Sequence, residues 1–270
     1  MDGTLVGAEG RIAPRDAEAI RELQRRSIPV TLCTGRMYSG TSAVADLLSL
    51  REPVACVEGS QIVEHPTGRH LWSAPLPSSH VAPLFEALNE HGPAAFVFAR
   101  DRVFFDGDGA HYLHYVTGWS QQAERIDAVV DVQQWEGDVT TLALVALGQQ
   151  VQIEAVHGVI QREHREHLQS ACFPLARATM DGVWGLLVRS ARVDKGTALE
   201  WLAGHYGVTT DELVAVGDWL NDVPMLERAG RSFAMNQAPE VVKSAADEVL
   251  VADIWTGGGI AEAAERAGLL

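Results

Sequence analysis

Basic charge is scarce in this chain of 270 residues: 21 Lys and Arg stand against 36 Asp and Glu, a formal net charge of −15 at pH 7. That balance speaks against a nucleic-acid or anionic-membrane partner, because a polyanion is held by clustered basic groups that release its counterions. A small anionic ligand stays open, since a local cluster or a metal inverts the local field. Cysteine is also scarce. Cys33, Cys56 and Cys172 lie far apart in apolar surroundings, the pattern of reduced thiols packed as small hydrophobes, and the expected location is cytoplasmic. No apolar run reaches the roughly 18 residues of a spanning helix. The opening residues MDGTLVGAEGR have neither the basic nor the apolar region of a secretory signal. There is no internal repeat and no low-complexity tract. Against these absences stand 47% hydrophobic and 21% charged residues, enough to bury a sizeable core, in a length that suits two domains or one large one.

The first segment alternates helix-like and strand-like patterns. Residues 14–26 place Ala17, Ile20 and Leu23 on one helical face, with Pro14 suited to the first turn. Residues 28–33 (IPVTLC) read as a buried strand ending at Thr34-Gly35-Arg36. A helix is expected over 41–50 and a second buried strand over 53–57, ending at Glu58-Gly59. Apolar strands separated by helices imply parallel pairing with right-handed crossovers. The texture then changes. Residues 73–83 are rich in Pro, Ser and Ala, as a linker would be; a helix-like stretch covers 81–91, and a hairpin turns at Arg100-Asp101-Arg102. A strand over 141–147, a helix over 151–168 and strands near Leu175 and over 184–188 follow. From about Arg192 the α/β texture returns, with helices over 195–206, 224–229 and 260–267 and strands over 213–216 and 232–235. The expected division is a core of residues 1–75 and 189–270 with an α+β domain, 76–188, inserted into it.

Four clusters carry chemistry, each where a strand ends or a helix begins, which is where open α/β sheets bind ligands. Asp2-Gly3-Thr4 suits a carboxylate held on a turn, and alone is also a plain turn. Thr34-Gly35-Arg36 offers a hydroxyl, a backbone N–H reachable past a glycine and a helix start, a phosphate-binding arrangement or simply a cap. In Asp194-Lys195-Gly196-Thr197 a lysine opposes the macrodipole of its own helix, a conflict that a bound phosphate would reconcile; a solvated lysine is the alternative. Gly217-Asp218-Trp219-Leu220-Asn221-Asp222 brackets an amide with two carboxylates that repel unless a cation is present, and hard oxygen donors suit Mg²⁺; otherwise the loop caps a helix. Lesser candidates are His157, His164 and His167 as a metal site or a solvated face, Gly257-Gly258-Gly259 as an anion cradle or a flexible helix entry, and Trp119 and Trp135 as pocket walls or packing.

Together the clusters read Asp-Gly-Thr, Thr-Gly-Arg, Asp-Lys-Gly and Gly-Asp-x-x-Asn-Asp, followed by Val223-Pro224-Met225-Leu226 and residues 233–243 (FAMNQAPEVVK). This resembles the haloacid dehalogenase superfamily of phosphatases, in its Cof-like subgroup with a large cap between the second and third motifs. The resemblance spans essentially the whole chain, the cap in pattern only. It implies an α/β fold, a Rossmann-like core with a parallel sheet and an inserted α+β cap, and a Mg²⁺-dependent phosphatase for a small, sugar-like phosphorylated metabolite. It makes Asp2 the general acid/base, with its backbone carbonyl on Mg²⁺. Thr34, Gly35, Arg36 and Lys195 would bind phosphate, Asp218 and Asp222 would hold the metal, and Asn221 would orient the loop or the phosphate.

Four departures are visible. Glu58 replaces the usual Asn, altering the charge of the site; Trp219 stands where smaller or polar residues are commoner; Met235-Asn236-Gln237-Ala238 differs from the usual Met-Gly-Asn-Ala. The family's first motif is Asp-x-Asp-Gly-Thr, and here Met1 occupies x. The expectation is that the nucleophilic Asp and its strand lie upstream of Met1, and that a core without that strand has a slot with two unpaired edges. The alternatives are a catalytically inactive phosphate binder and, among enzymes, a phosphohexomutase or glycosyl-phosphate phosphatase relative.

Overall fold

The structure, a computed structural model, describes residues 1–131, 135, 141–175 and 182–270. They form two compact units: residues 1–35, 42–71 and 194–270, and residues 36–41 and 72–193.

The first unit begins with the Asp2-Gly3-Thr4 turn and helix α1, Pro14–Arg25, which starts at Pro14 and buries Ala19, Ile20 and Leu23. Asp16, also buried, has a second task. Its carboxylate accepts the N–H groups of Gly258 (2.9 Å) and Ala261 (3.0 Å) at the opposite end of the sequence. The glycine run expected either to cradle an anion or to loosen a helix entry thus receives an anion from its own chain, and burial raises the Asp16 pKa.

Residues 28–33 do not form the expected ladder strand. Their pairing with β1 (Val54–Cys56) is one isolated parallel bridge, Cys33 to Ala55, flanked by Ala55 N–H to Leu32 (2.8 Å) and Thr34 N–H to Ala55 (2.9 Å). The physical reason lies on the other edge, where a cavity of about 360 Å³ is lined by Ile20, Leu23, Val30, Leu32, Leu199 and Val216. With no neighbour there, an apolar run that reads as buried stays half-buried at Val30 and Cys33. Helix α2, Ser42–Leu47, is shorter than expected. After β1 the chain turns tightly into β2, Gln61–Glu64, paired antiparallel (Val54 with Val63), and β3, Arg69–Ser73, completes a three-stranded sheet.

In the second unit, α3 is Ser78–His91, so the Pro- and Ser-rich stretch expected as linker already contains a helix start. The hairpin is as expected: β4, Ala94–Ala99, pairs antiparallel with β5, Arg102–Phe105, through Arg100 and Asp101 at positive φ. Short α4, Leu113–Val116, and β6, Ala123–Arg125, precede β7, Thr141–Gln149. Helix α5 is Gln150–Val159 and continues only as a π turn to His164, because QREH offers no apolar face; Leu168, expected to end the helix, opens strand β8, Leu168–Pro174, and is buried in the sheet. With β9, Val183–Ser190, the sheet order is β6-β5-β4-β7-β9-β8, antiparallel except β5 with β6. Phe85, Leu88, Val97, Leu144, Ile153 and Val188 pack α3 and α5 on this sheet.

The chain re-enters the first unit through α6, Lys195–Tyr206, closed by Gly207 in the left-handed region. Strand β10, Val214–Gly217, leads to α7, Val223–Arg228; β11, Arg231–Ala234, lies parallel to β10 and to β12, Glu248–Val249, with α8, Glu240–Ala245, between them. Helix α9, Gly259–Arg266, ends the fold. This α/β arrangement with parallel pairing is the fold class the sequence suggests. Among the described residues no helix is long and apolar enough to cross a membrane.

Candidate active site

The carboxyl end of β10 organises the site. The loop after Gly217 folds back so tightly that a Cβ on Gly217 would lie 2.6 Å from the Asp222 Cβ. Asp222 is thereby buried, with Oδ2 accepting the N–H groups of Asp218 (2.8 Å) and Trp219 (3.0 Å) and Oδ1 accepting Lys195 Nζ at 2.7 Å. Lys195 comes from the first turn of α6, which Asp194 caps by accepting the Thr197 N–H at 2.7 Å. The Asp2-Gly3-Thr4 turn wraps Asp218. Thr4 Oγ1 donates to Asp218 Oδ1 at 2.6 Å, and a Cβ on Gly3, at φ 81°, would strike Oδ2 at 2.0 Å. Asp2 stands exposed on this turn, and Gln237 Nε2 holds its other end by donating to the Gly3 carbonyl (2.7 Å).

Burial pushes the Asp218 carboxyl upward and the Asp222 charge adds to this; the Thr4 hydrogen bond and Lys195 oppose it only in part. Burial also works against the charge of Asp222, but the Lys195 ammonium and the backbone donors outweigh it and hold that pKa low. For Lys195 burial is again overcome, by Asp222 and Glu58, and its pKa rises above the ordinary lysine range. One fixed ammonium therefore meets the carboxylates of Asp218, Asp222 and Glu58, all buried. That excess of negative charge favours a cation.

The oxygen donors suit Mg²⁺. Asp218 Oδ2 faces the Gly3 backbone, and Asn221 Oδ1 is a buried acceptor with no hydrogen-bond partner. Among the described residues no three His, Cys, Asp or Glu side chains are grouped to hold a metal ion; Mg²⁺ commonly takes one or two carboxylates and keeps several waters. Both Asp222 oxygens already accept hydrogen bonds, which suits a water-mediated role.

Thr34 is buried beside β1, and Gly35 follows it with its backbone against the Glu58 carboxylate. Arg36 belongs to the second unit, where its guanidinium donates to the Gly40 carbonyl at 3.0 Å. Glu58 stands in the sequence as a departure only; the structure makes it a member of the site, since Asn221 Nδ2 donates to its two oxygens at 2.8 and 2.7 Å. Its signal was a charged residue directly after a buried strand and before Gly59. Gln237 left none beyond its place in an unusual Met-Asn-Gln-Ala run. Trp219, the other departure on this loop, is half exposed.

The remaining candidates lie in the second unit. His80 Nδ1 is 3.1 Å from His164 Nδ1 and its ring is 4.4 Å from that of His167, while His157 bonds Ser170. Trp135 packs on Phe104 and donates to the Val129 carbonyl, and Trp119 lies against Phe98, which is packing.

Comparison with known proteins finds relatives of the whole chain. A family model of haloacid dehalogenase-like hydrolases matches residues 1–263. A pyridoxal phosphate phosphatase of Escherichia coli is 24% identical over 93% of this chain and 90% of its own. A 5-amino-6-(5-phospho-D-ribitylamino)uracil phosphatase of Bacillus subtilis is 28% identical over 90% and 88%. A haloacid dehalogenase-like hydrolase from Bacteroides thetaiotaomicron superposes with a TM-score of 0.80 at 22% identity, covering 98% of this chain and 97% of that one.

Proposed function

The chain belongs to the haloacid dehalogenase-like hydrolase family, and on that premise we propose that it is a Mg²⁺-dependent phosphomonoesterase for a small, sugar-like phosphorylated metabolite. The phosphatases it resembles act, by their names, on small phosphorylated compounds of different skeletons. The observation that carries the reading is the gathering of Lys195, Asn221, the Gly35 backbone and Asp218 at the strand-end loops of one unit.

Phosphoryl transfer asks the protein mainly to position groups and to neutralise charge. Lys195, held protonated, and the Gly35 N–H would hold the equatorial oxygens, with the Thr34 hydroxyl beside them. Asp218, and Asp222 through water, would hold Mg²⁺, which supplies further neutralisation of the phosphoryl charge. Asp2, exposed on its turn, would face the leaving group. It would give its proton to the departing oxygen as the P–O bond breaks, then take one from the attacking water.

The nucleophile in this reading is a carboxylate on a strand preceding Met1, which forms and then loses an aspartyl-phosphate. The cavity of about 360 Å³ supports this: it lies between residues 28–33 and β10, whose facing edges pair with no strand among the described residues, and its walls are mostly apolar. An apolar strand of about five residues has an ordinary length for such a seat. Discrimination among phosphorylated metabolites is assigned to residues 76–188.

The test is hydrolysis of an aryl phosphate with Mg²⁺ by a protein extended upstream of Met1. Asp218→Ala should abolish Mg²⁺-dependent turnover, and Lys195→Ala should lower it by about 10²-fold or more. Undiminished turnover in both variants would remove the site from the reading.

A further inference from the structure

The groups assigned to phosphate already surround an anion. Asn221 Nδ2 donates to Glu58 Oε1 at 2.8 Å and Oε2 at 2.7 Å, and Lys195 Nζ lies 3.8 Å from Oε2. A Cβ on Gly35 would lie 2.2 Å from Oε1, so this carboxylate rests directly on the Gly35 backbone. Glu58 is buried to 6% exposure.

The backbone that carries it is sharply bent. Val57, Glu58 and Gly59 have φ of 50°, 57° and 90°, three consecutive residues in the left-handed region. A β-branched valine in that region is an outlier, and such strain persists only where the surroundings enforce it. The Glu58 N–H donates to the Thr34 carbonyl at 3.0 Å, and Ser60 N–H to Val57 at 2.9 Å, which closes the turn. Gly59 cannot be replaced cheaply, since a Cβ there would meet the Asp194 carbonyl at 2.4 Å. The turn is thus clamped between the Thr34 loop and the α6 entry, the elements that present the other phosphate-binding groups.

We propose that the Glu58 carboxylate is a built-in occupant of the phosphate cradle, and that a phosphate enters by displacing it from Asn221 and Lys195. The proposal rests on the phosphate-site reading above and adds a regulation to it. A free phosphate ion has only its own oxyanions with which to compete. A phosphomonoester also has its organic part, whose contacts can drive the displacement. Glu58 then returns once that part has left, and helps to expel inorganic phosphate.

The test measures the affinity of inorganic phosphate by titration calorimetry with Mg²⁺ present, using the 270-residue chain. Glu58→Gln keeps the size and removes the charge; Glu58→Asn is a second variant suited to the left-handed backbone. Removing a like charge from the binding site should tighten phosphate roughly tenfold or more in both. Affinity that is unchanged or weaker in both variants overturns the proposal, and a Glu58 that served instead as a metal ligand or a scaffold would give the weaker result. Lys195→Gln separates the two levels: if it leaves wild-type phosphate affinity intact, the cradle itself is misassigned, whereas if it abolishes binding while the Glu58 variants gain nothing, only the displacement fails.

Discussion

Both units of this chain bury apolar side chains, but they differ in the charge they bury with them. In the second, the six-stranded sheet hides an apolar face: residues 141–148 of β7 are all buried, and among the described residues Arg189 is the one buried charge. In the first, Asp16, Glu58, Lys195, Asp218 and Asp222 are all buried, around sheets of three strands each. The second unit is stabilised by area removed from water and a continuous hydrogen-bond ladder. The first holds its charges by pairing them with one another and with backbone donors, an arrangement that is costly if any partner is lost. Buried charge is therefore the mark of the unit to which the candidate site is assigned, and a buried core nearly free of charge the mark of the other.

The contrast can be broken experimentally. The largest effect is expected for Lys195→Ala, which strands the Asp222 and Glu58 carboxylates without a cation. Loss of a buried partner of this kind costs about 3–5 kcal/mol, read by urea denaturation, and a variant as stable as the parent would show that the cluster is not charge-balanced by Lys195. Leu144→Ala, fully buried in β7, should cost about 2–5 kcal/mol by cavity formation while leaving phosphate affinity unchanged; a parallel loss of affinity would mean that the units do not divide stability and chemistry. Thr4→Val removes the 2.6 Å hydrogen bond to buried Asp218 and should cost about 1–3 kcal/mol, together with a further rise of the Asp218 pKa visible by NMR titration.

The smallest effect concerns pH. Burial raises the pKa of Asp16 in the folded state, so the folded carboxyl binds its proton more tightly than the unfolded one. Lowering the pH through the raised value should then stabilise the fold until the unfolded value of about 3.9 is reached, below which this contribution is constant. Asp16→Asn should lose that component, and denaturation midpoints of the two proteins that run parallel between pH 7 and 4 would refute it.

Much of this was legible in the sequence. The helix over 195–206 announced itself by its Asp194 cap and its closing Gly207, and Asp218, Asp222 and Lys195 announced themselves as charges placed at strand ends and helix starts. The hairpin at Arg100-Asp101 followed from alternation and turn chemistry alone. Misreadings came where a pattern depends on a neighbour. Residues 28–33 look like a buried strand because they are apolar, yet a strand also needs two partners, and one edge here borders a cavity. Residues 164–168 continue a helical spacing until the pull of β9 on Leu168 ends it. Glu58 shows as a substitution with uncertain meaning, because a one-dimensional chain does not reveal which donors face it.

What the sequence determined by itself is local: capped helices, turns that need glycine, apolar periodicity, and motif residues whose side-chain chemistry suits phosphate and a hard cation. These depend on a few adjacent residues and so survive reading one position at a time. Only the tertiary structure decided that Asp16 caps a helix 242 positions away, that Lys195 is neutralised by Asp222, and that Asn221, 163 positions from Glu58, donates to that carboxylate. The reason is that a buried charge takes its state from whatever lies within a few ångströms in space, and separation along the chain places no limit on what that is.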